Sequence, residues 1–168
     1  MPKRTVFLLS CLILIQAEYS GLPAGVVKRP FPAPEWAVSG WLNGDPGSLK
    51  ENRNRVILIV SIHTVFEGHA SQTPHRLSGF IREKKIHHPV GIDAYPEDSA
   101  EIPITMRRYR TGGTPNVTII DKQGRVRFHH LGSFDPAPVE ALIDRLLAEP
   151  GADGENAAPK RDLILSGE

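Results

Sequence analysis

Across 168 residues the chain carries 20 basic and 19 acidic side chains, a net charge of +1. That balance removes the electrostatic case for a nucleic-acid partner or an anionic membrane surface. The length suits one domain with tails, and a single cysteine, Cys11, excludes an intrachain disulfide framework.

The first elements are an export signal and a linker. Lys3 and Arg4 precede an apolar run from Thr5 to Ile15 that ends at the small residue Ala17. Such a run is shorter than the roughly 20 residues a membrane span needs, so residues 1–17 read as a signal peptide cleaved near Ala17 or Ala24. The expectation is an exported protein, periplasmic or secreted, with no membrane span in its mature form. Cys11 would leave with the signal, and the mature chain would then hold no thiol. Residues 18–35 mix proline, glycine and a basic pair without periodicity and read as an extended linker into a domain over 36–149.

In "WAVSGWLNGDPGSLKENRNR" the residues Asn43 to Gly47 suit the turn of a short strand pair, with Trp36 and Trp41 at the core edge. "VILIVSI" at 56–62 is a continuous apolar run, the pattern of a parallel strand covered on both faces. Thr73 as cap and Pro74 at the first helical position open an amphipathic helix carrying Leu77, Phe80 and Ile81. "HPVGIDA" at 88–94 returns to a strand, and "IPITMRRY" at 102–109 is a short helix with Ile102, Met106 and Tyr109 on its apolar face. "NVTIID" and "RVRFHHLG", separated by "KQG", form a hairpin with Gly124 in the left-handed position. Asp135–Pro136 then starts a terminal helix with Val139, Leu142, Ile143, Leu146 and Leu147 on one face, and residues 150–168 read as a disordered tail.

This order of elements resembles the thioredoxin fold, and particular stretches carry the likeness. "PAPEWAVSGWLNGDPGSLKENRNRVILIV" resembles the entry to redoxin domains of the TlpA-like or alkyl hydroperoxide reductase and thiol-specific antioxidant type. "IHTVFEGHASQTPHRLSGFIREKKIHHPVGID" is similar to the middle of one redoxin subgroup, and "GGTPNVTIIDKQGRVRFHHLG" to the second half of these domains. The resemblance implies an α/β, thioredoxin-like three-layer fold and a thiol-disulfide or peroxide reductase, an antioxidant activity. It also implies a cis bond before Pro115, with Gly113, Thr114 and Pro115 forming a surface that faces the redox centre and receives a protein or peptide partner.

The chemistry that should accompany that surface is missing. In redoxins a CxxC or a single reactive cysteine follows the first central strand, at a helix N-terminus that lowers the thiol pKa. Here "VILIV" runs directly into "SIHTVFE", and a run of seven residues, six of them apolar, stands where two strands and a helix should be. A βαβ unit takes roughly 30 residues, so the segment reads as deleted rather than substituted. The expected mixed sheet is therefore shortened, with an exposed edge through which a homodimer could form. No residue is assigned a catalytic role, and no cofactor is called for. The functional expectation is a catalytically silent domain acting as a binding module. Its alternative is a redox-active reductase working with a thiol-bearing partner.

Seven histidines are the other chemical resource. His63, Glu67, His69 and His75 would converge on a divalent metal if the loop at 63–75 folds back, since imidazole and carboxylate suit zinc or copper; this makes a histidine-based metal binder the second alternative. His129 and His130 must point to opposite faces of their strand and cannot share an ion. Arg82, Lys84, Lys85, Arg107, Arg108 and Arg110 read as solvated charge.

Overall fold

The computed structural model describes residues 24–55, 58–97 and 101–151. The expected signal peptide, residues 18–23 of the linker, Val56, Ile57 and residues 152–168 of the tail lie outside these residues. In chain order the elements are β1 (Val26–Pro32), β2 (Val38–Leu42), β3 (Ser61–His63), α1 (Pro74–Glu83), β4 (Val90–Asp93), α2 (Ile104–Arg108), β5 (Asn116–Ile120), β6 (Arg125–Leu131) and α3 (Pro136–Ala148).

The strands form two three-stranded sheets, in the orders β1–β6–β5 and β2–β4–β3. The first is antiparallel throughout; in the second, β3 runs parallel to β4 while β2 runs antiparallel to it. This is an α/β structure with a mixed set of parallel and antiparallel strands, which fall into two sheets among the described residues. Among the described residues the "VILIVSI" run forms a strand at Ser61–His63, which pairs with β4 on the side away from β2. Nor is it covered on both faces, since Leu58 and Val60 are half-buried while Ile59 is exposed.

Two further expectations change. Val26–Pro32, read as linker, is a strand: Phe31 and Pro32 pair with Val126 and Arg125, and Val26 with Phe128. Prolines argue against a strand interior yet are tolerated on an edge, where their missing N–H faces away from the ladder. The stretch from Trp36 to Arg55 makes no hairpin, since β2 pairs with β4 across 48 residues of sequence separation at Leu42 and Val90, not with its own downstream chain. Asn43, Gly44 and Gly47 do adopt positive φ, as a turn there requires.

Helix starts follow the local chemistry. Thr73 accepts from the Arg76 amide at α1, and Asp135 accepts from the Ala137 amide at α3. α3 lays Val139, Leu142 and Leu146 onto Phe128, with Val26, Val117, Ile119, Phe134 and Ile143 around them. Phe128 and Val126 are fully enclosed, so β6 is the centre of this core. Of the α1 stripe Ile81 is buried, while Phe80 stays exposed with the Lys84 ammonium 5.9 Å from its ring centroid.

Candidate functional site

The surface around Thr114 and Pro115 is built by α2, the loop behind it and the β5–β6 hairpin. The positioning starts at Asp93, at the end of β4. Its carboxylate is buried and accepts the Thr105 amide at 2.9 Å, the Met106 amide at 3.1 Å and the Thr64 hydroxyl at 3.0 Å. It thereby satisfies amides in the first turn of α2, which has no side-chain cap of its own. Thr105 ties the same helix to the entry strand, its hydroxyl bonding the amide and carbonyl of Ala37. The Tyr109 hydroxyl donates to the Pro34 carbonyl at 2.7 Å, and burial, with the nearby Glu35 charge, pushes its pKa well above the usual phenol range.

From α2 the chain turns through Arg110, at a φ of 52°, and Thr111 bonds back to the Met106 carbonyl. The Thr114–Pro115 bond is cis, and the Pro115 carbonyl accepts the Gly132 amide at 2.8 Å. Thr114 and Pro115 are exposed and Gly113 is half-buried. Beside them Leu131 is 50 % exposed, and it lies close enough to Gly113 that a Cβ there would sit 3.6 Å from it. Asn116 pairs with Leu131 in the ladder, so the loop and this apolar side chain form one continuous surface.

Behind the loop, on the neighbouring positions of the hairpin, His129 lies against β5. Its Nδ1 is 2.9 Å from the Thr118 hydroxyl and its Nε2 is 3.4 Å from the Asn116 amide nitrogen. An amide NH2 can only donate, so Nε2 accepts and Nδ1 carries the proton. Burial lowers the His129 pKa, in keeping with that neutral ring. His130 takes the other face, between Phe128 and Phe134. The opposite-face expectation holds, although both rings are half-buried.

The histidine loop does not assemble a metal site. His63 Nε2 faces the Gln72 carbonyl at 3.4 Å, and His69 Nδ1 faces the Tyr95 hydroxyl at 3.3 Å. Tyr95 also bonds the Val65 carbonyl, and the Glu67 carbonyl accepts from Gln72, so these loop contacts go to protein partners. His75 is exposed on the first turn of α1. Among the described residues no group of three or more His, Cys, Asp or Glu could hold a metal ion. The expected convergence of His63, Glu67, His69 and His75 is therefore not found.

One nucleophile–base contact was not expected from the sequence: Ser61 Oγ lies 2.7 Å from His88 Nε2. It joins the first residue of β3 to the loop before β4. Asp93 and Leu131 also escaped the sequence reading. The only signal for Asp93 was an acidic residue closing an apolar strand shortly before a proline-initiated helix.

No family model matches the chain, and no curated protein matches it. Solved structures do. A thioredoxin-like superfamily protein is 28 % identical with a TM-score of 0.66, covering 71 % of this chain and 98 % of its own. A thiol-disulfide isomerase from Corynebacterium glutamicum is 28 % identical with a TM-score of 0.64, covering 70 % of this chain and 97 % of its own. A thioredoxin-like protein in the oxidized form, at 17 % identity and a TM-score of 0.50, shares the fold alone. Taken with the proline loop and its hairpin, these likenesses show that the chain has a thioredoxin-like fold.

Proposed function

We propose that this protein is a catalytically silent redoxin domain, exported to the periplasm or the exterior, which acts as a binding module. Its contact surface is Gly113, Thr114 and Pro115 with the exposed Leu131 beside them. The observation that carries the reading is the cysteine inventory: the chain has one cysteine, Cys11, and none from residue 12 onward. Thiol-disulfide exchange needs a thiolate to attack a disulfide sulfur, and peroxide reduction needs one to attack the O–O bond. Neither step can start from the residues around Thr114. What remains there is a hydrogen-bonding loop next to an apolar side chain, chemistry suited to holding an extended polypeptide.

A second reading, a redox-active reductase that borrows a thiol from a partner, draws support from the likeness to a thiol-disulfide isomerase. Disulfide-reductase and peroxide-reductase assays on the full chain and on Cys11→Ser separate the two. The binding-module reading expects no turnover from either protein beyond the uncatalysed rate. Turnover that persists in Cys11→Ser when a dithiol protein is added supports the second reading. Turnover by the wild type alone that is lost in Cys11→Ser would overturn the claim of silence.

A further inference from the structure

An arginine-rich turn leads into the loop at Gly113–Pro115. From Ile102 to Ile120 the chain holds Arg107, Arg108 and Arg110 and neither Asp nor Glu, in a molecule whose net charge is only +1. All three arginines are exposed. The Arg108 guanidinium donates to the Glu35 carbonyl at 2.8 Å, which seats it against the entry segment. The ion pairs of the described residues lie at Glu83–Lys84 and around Asp121 and Glu149, so neither Arg107 nor Arg110 is matched by a carboxylate among those residues. The acids on either flank are engaged: Glu35 accepts the Leu49 amide with both carboxylate oxygens, and Asp135 accepts the Ala137 amide. Cations in the last turn of a helix complement its dipole. That accounts poorly for this group, because α2 has only five residues and Arg110 lies beyond its end, at a φ of 52°.

We propose that the polypeptide received at Gly113–Pro115 is acidic: an extended segment that sets an apolar residue against Leu131 and Asp or Glu side chains toward Arg107 and Arg110. This rests on the binding-module reading of that surface and names the chemistry of its partner. The reach is set by the chain. Arg110 precedes Thr114 by four residues, at most about 14 Å of backbone, and the Arg110 amide bonds the Arg107 carbonyl at 3.1 Å, which keeps the two arginines on one turn. An extended peptide advances about 3.3 Å per residue, so one seated at Thr114 brings a side chain about four positions away to these guanidinium groups. Unpaired cations beside a contact surface favour partners of opposite charge and penalise basic ones. A peptide fits better than an anionic lipid surface, because the chain as a whole is near neutral and its charges are screened beyond about 8–10 Å, so a ligand small enough to meet the arginines alone is the one that feels their charge.

The test is selection of a random octapeptide library on the full chain, followed by fluorescence anisotropy of the enriched peptides. Four proteins are compared: wild type, Leu131→Ser, the double variant Arg107→Gln with Arg110→Gln, and its charge-keeping counterpart with lysine at both positions. The expected result is enrichment of Asp and Glu, binding that weakens as salt rises, and affinity reduced about fivefold or more by the glutamine pair but largely kept by the lysine pair. Leu131→Ser should weaken the same peptides. The far-UV circular dichroism of the glutamine variant should match wild type, because both side chains are exposed. Neutral or basic peptides that are enriched and weakened by Leu131→Ser would overturn the acidic partner while leaving the surface reading in place. Acidic peptides that bind the glutamine variant as tightly as wild type, or phosphatidylserine vesicles bound through the arginines in place of any peptide, would also overturn it. No enriched peptide at all, or acidic peptides indifferent to Leu131→Ser, would overturn both readings.

Discussion

Arg127 grips Glu149 with both ends of its guanidinium, Nη1 to Oε2 and Nη2 to Oε1 each at 2.8 Å, and so fastens β6 to the residue that ends α3. The same Nη1 reaches the buried Asp121 carboxylate at 3.0 Å, which also accepts from the Arg125 side chain and from the amides of Gln123 and Arg125. Planar two-pronged pairing is what a guanidinium does better than an ammonium. Arg127→Ala should therefore cost about 2 kcal/mol, mostly through leaving Asp121 buried with fewer donors. Arg127→Lys should recover less than half of that. Urea unfolding measures both, and a loss no larger than that of an exposed arginine would remove this pair from the fold's supports.

The acid sensitivity of the same cluster has a definite sign. Burial works to raise the Asp121 pKa, but its bonds to Arg125 and Arg127 outweigh burial and hold it low. The Arg127 bond likewise holds Glu149 below the usual carboxylate range. A carboxyl whose folded pKa lies below its unfolded value contributes stability above the unfolded pKa, near 4, and loses it as pH falls through the folded value. Thermal unfolding between neutral pH and strong acid should show wild type losing more stability than Arg127→Ala in that window. Equal losses would contradict the assignment.

His129 titrates in a higher window with the same direction. Burial lowers its folded pKa, so the unfolded chain takes up a proton first. Stability from the neutral ring is complete above the unfolded value, near 6.5, and falls as pH drops through it toward the folded pKa. Protonation would also set an N–H against the Asn116 amide donor. The melting temperature should decline below neutrality and His129→Gln should flatten that slope. An NMR titration placing the His129 pKa at or above 6.5 would refute the premise.

Much of this was legible in the residues, and the failures share a cause. Thr73, Asp135 and Gly124 act locally, and each cap or turn sits where its own chemistry puts it. The α3 stripe needed only helical spacing, and the cis bond before Pro115 only a strong resemblance. What the sequence hid was pairing at long range. Val26–Pro32 reads as linker until β6 is beside it, and the 56–62 run reads as covered on both faces although Ile59 is exposed. The histidines failed likewise: spacing cannot tell that Gln72 and Tyr95 lie against the imidazoles of His63 and His69.

Gly91 marks the tightest point of the second sheet. A Cβ there would lie 2.7 Å from Val38 Cγ1, 2.9 Å from Trp41 Cζ3 and 3.1 Å from Ile62 Cδ1, all side chains of the flanking strands. Its φ does not demand glycine, so the constraint is space alone. Gly91→Ala should destabilise by about 1–3 kcal/mol through overpacking. Val38→Ala, which removes the nearest clash, should cost less in the Gly91→Ala background than in wild type. Additive losses in that double-mutant cycle would mean that the contact is not what excludes a side chain.

Asp93 makes a prediction about the site rather than the core. It is the side chain that holds the first turn of α2, and α2 leads directly into the loop carrying Thr114 and Pro115. Asp93→Ala strips the acceptor from two buried amides and should cost about 2–3 kcal/mol. Asp93→Asn keeps one acceptor oxygen and should cost about half as much. The distinguishing readout is local: amide exchange at Thr105 and Met106, and through Thr111 to Gly113, should quicken far more than at Val126 and Phe128 in the β6 core. A loss spread evenly over both regions would make Asp93 a general support, whereas a loss confined to the loop would establish that the Thr114–Pro115 loop is held in place from the end of β4.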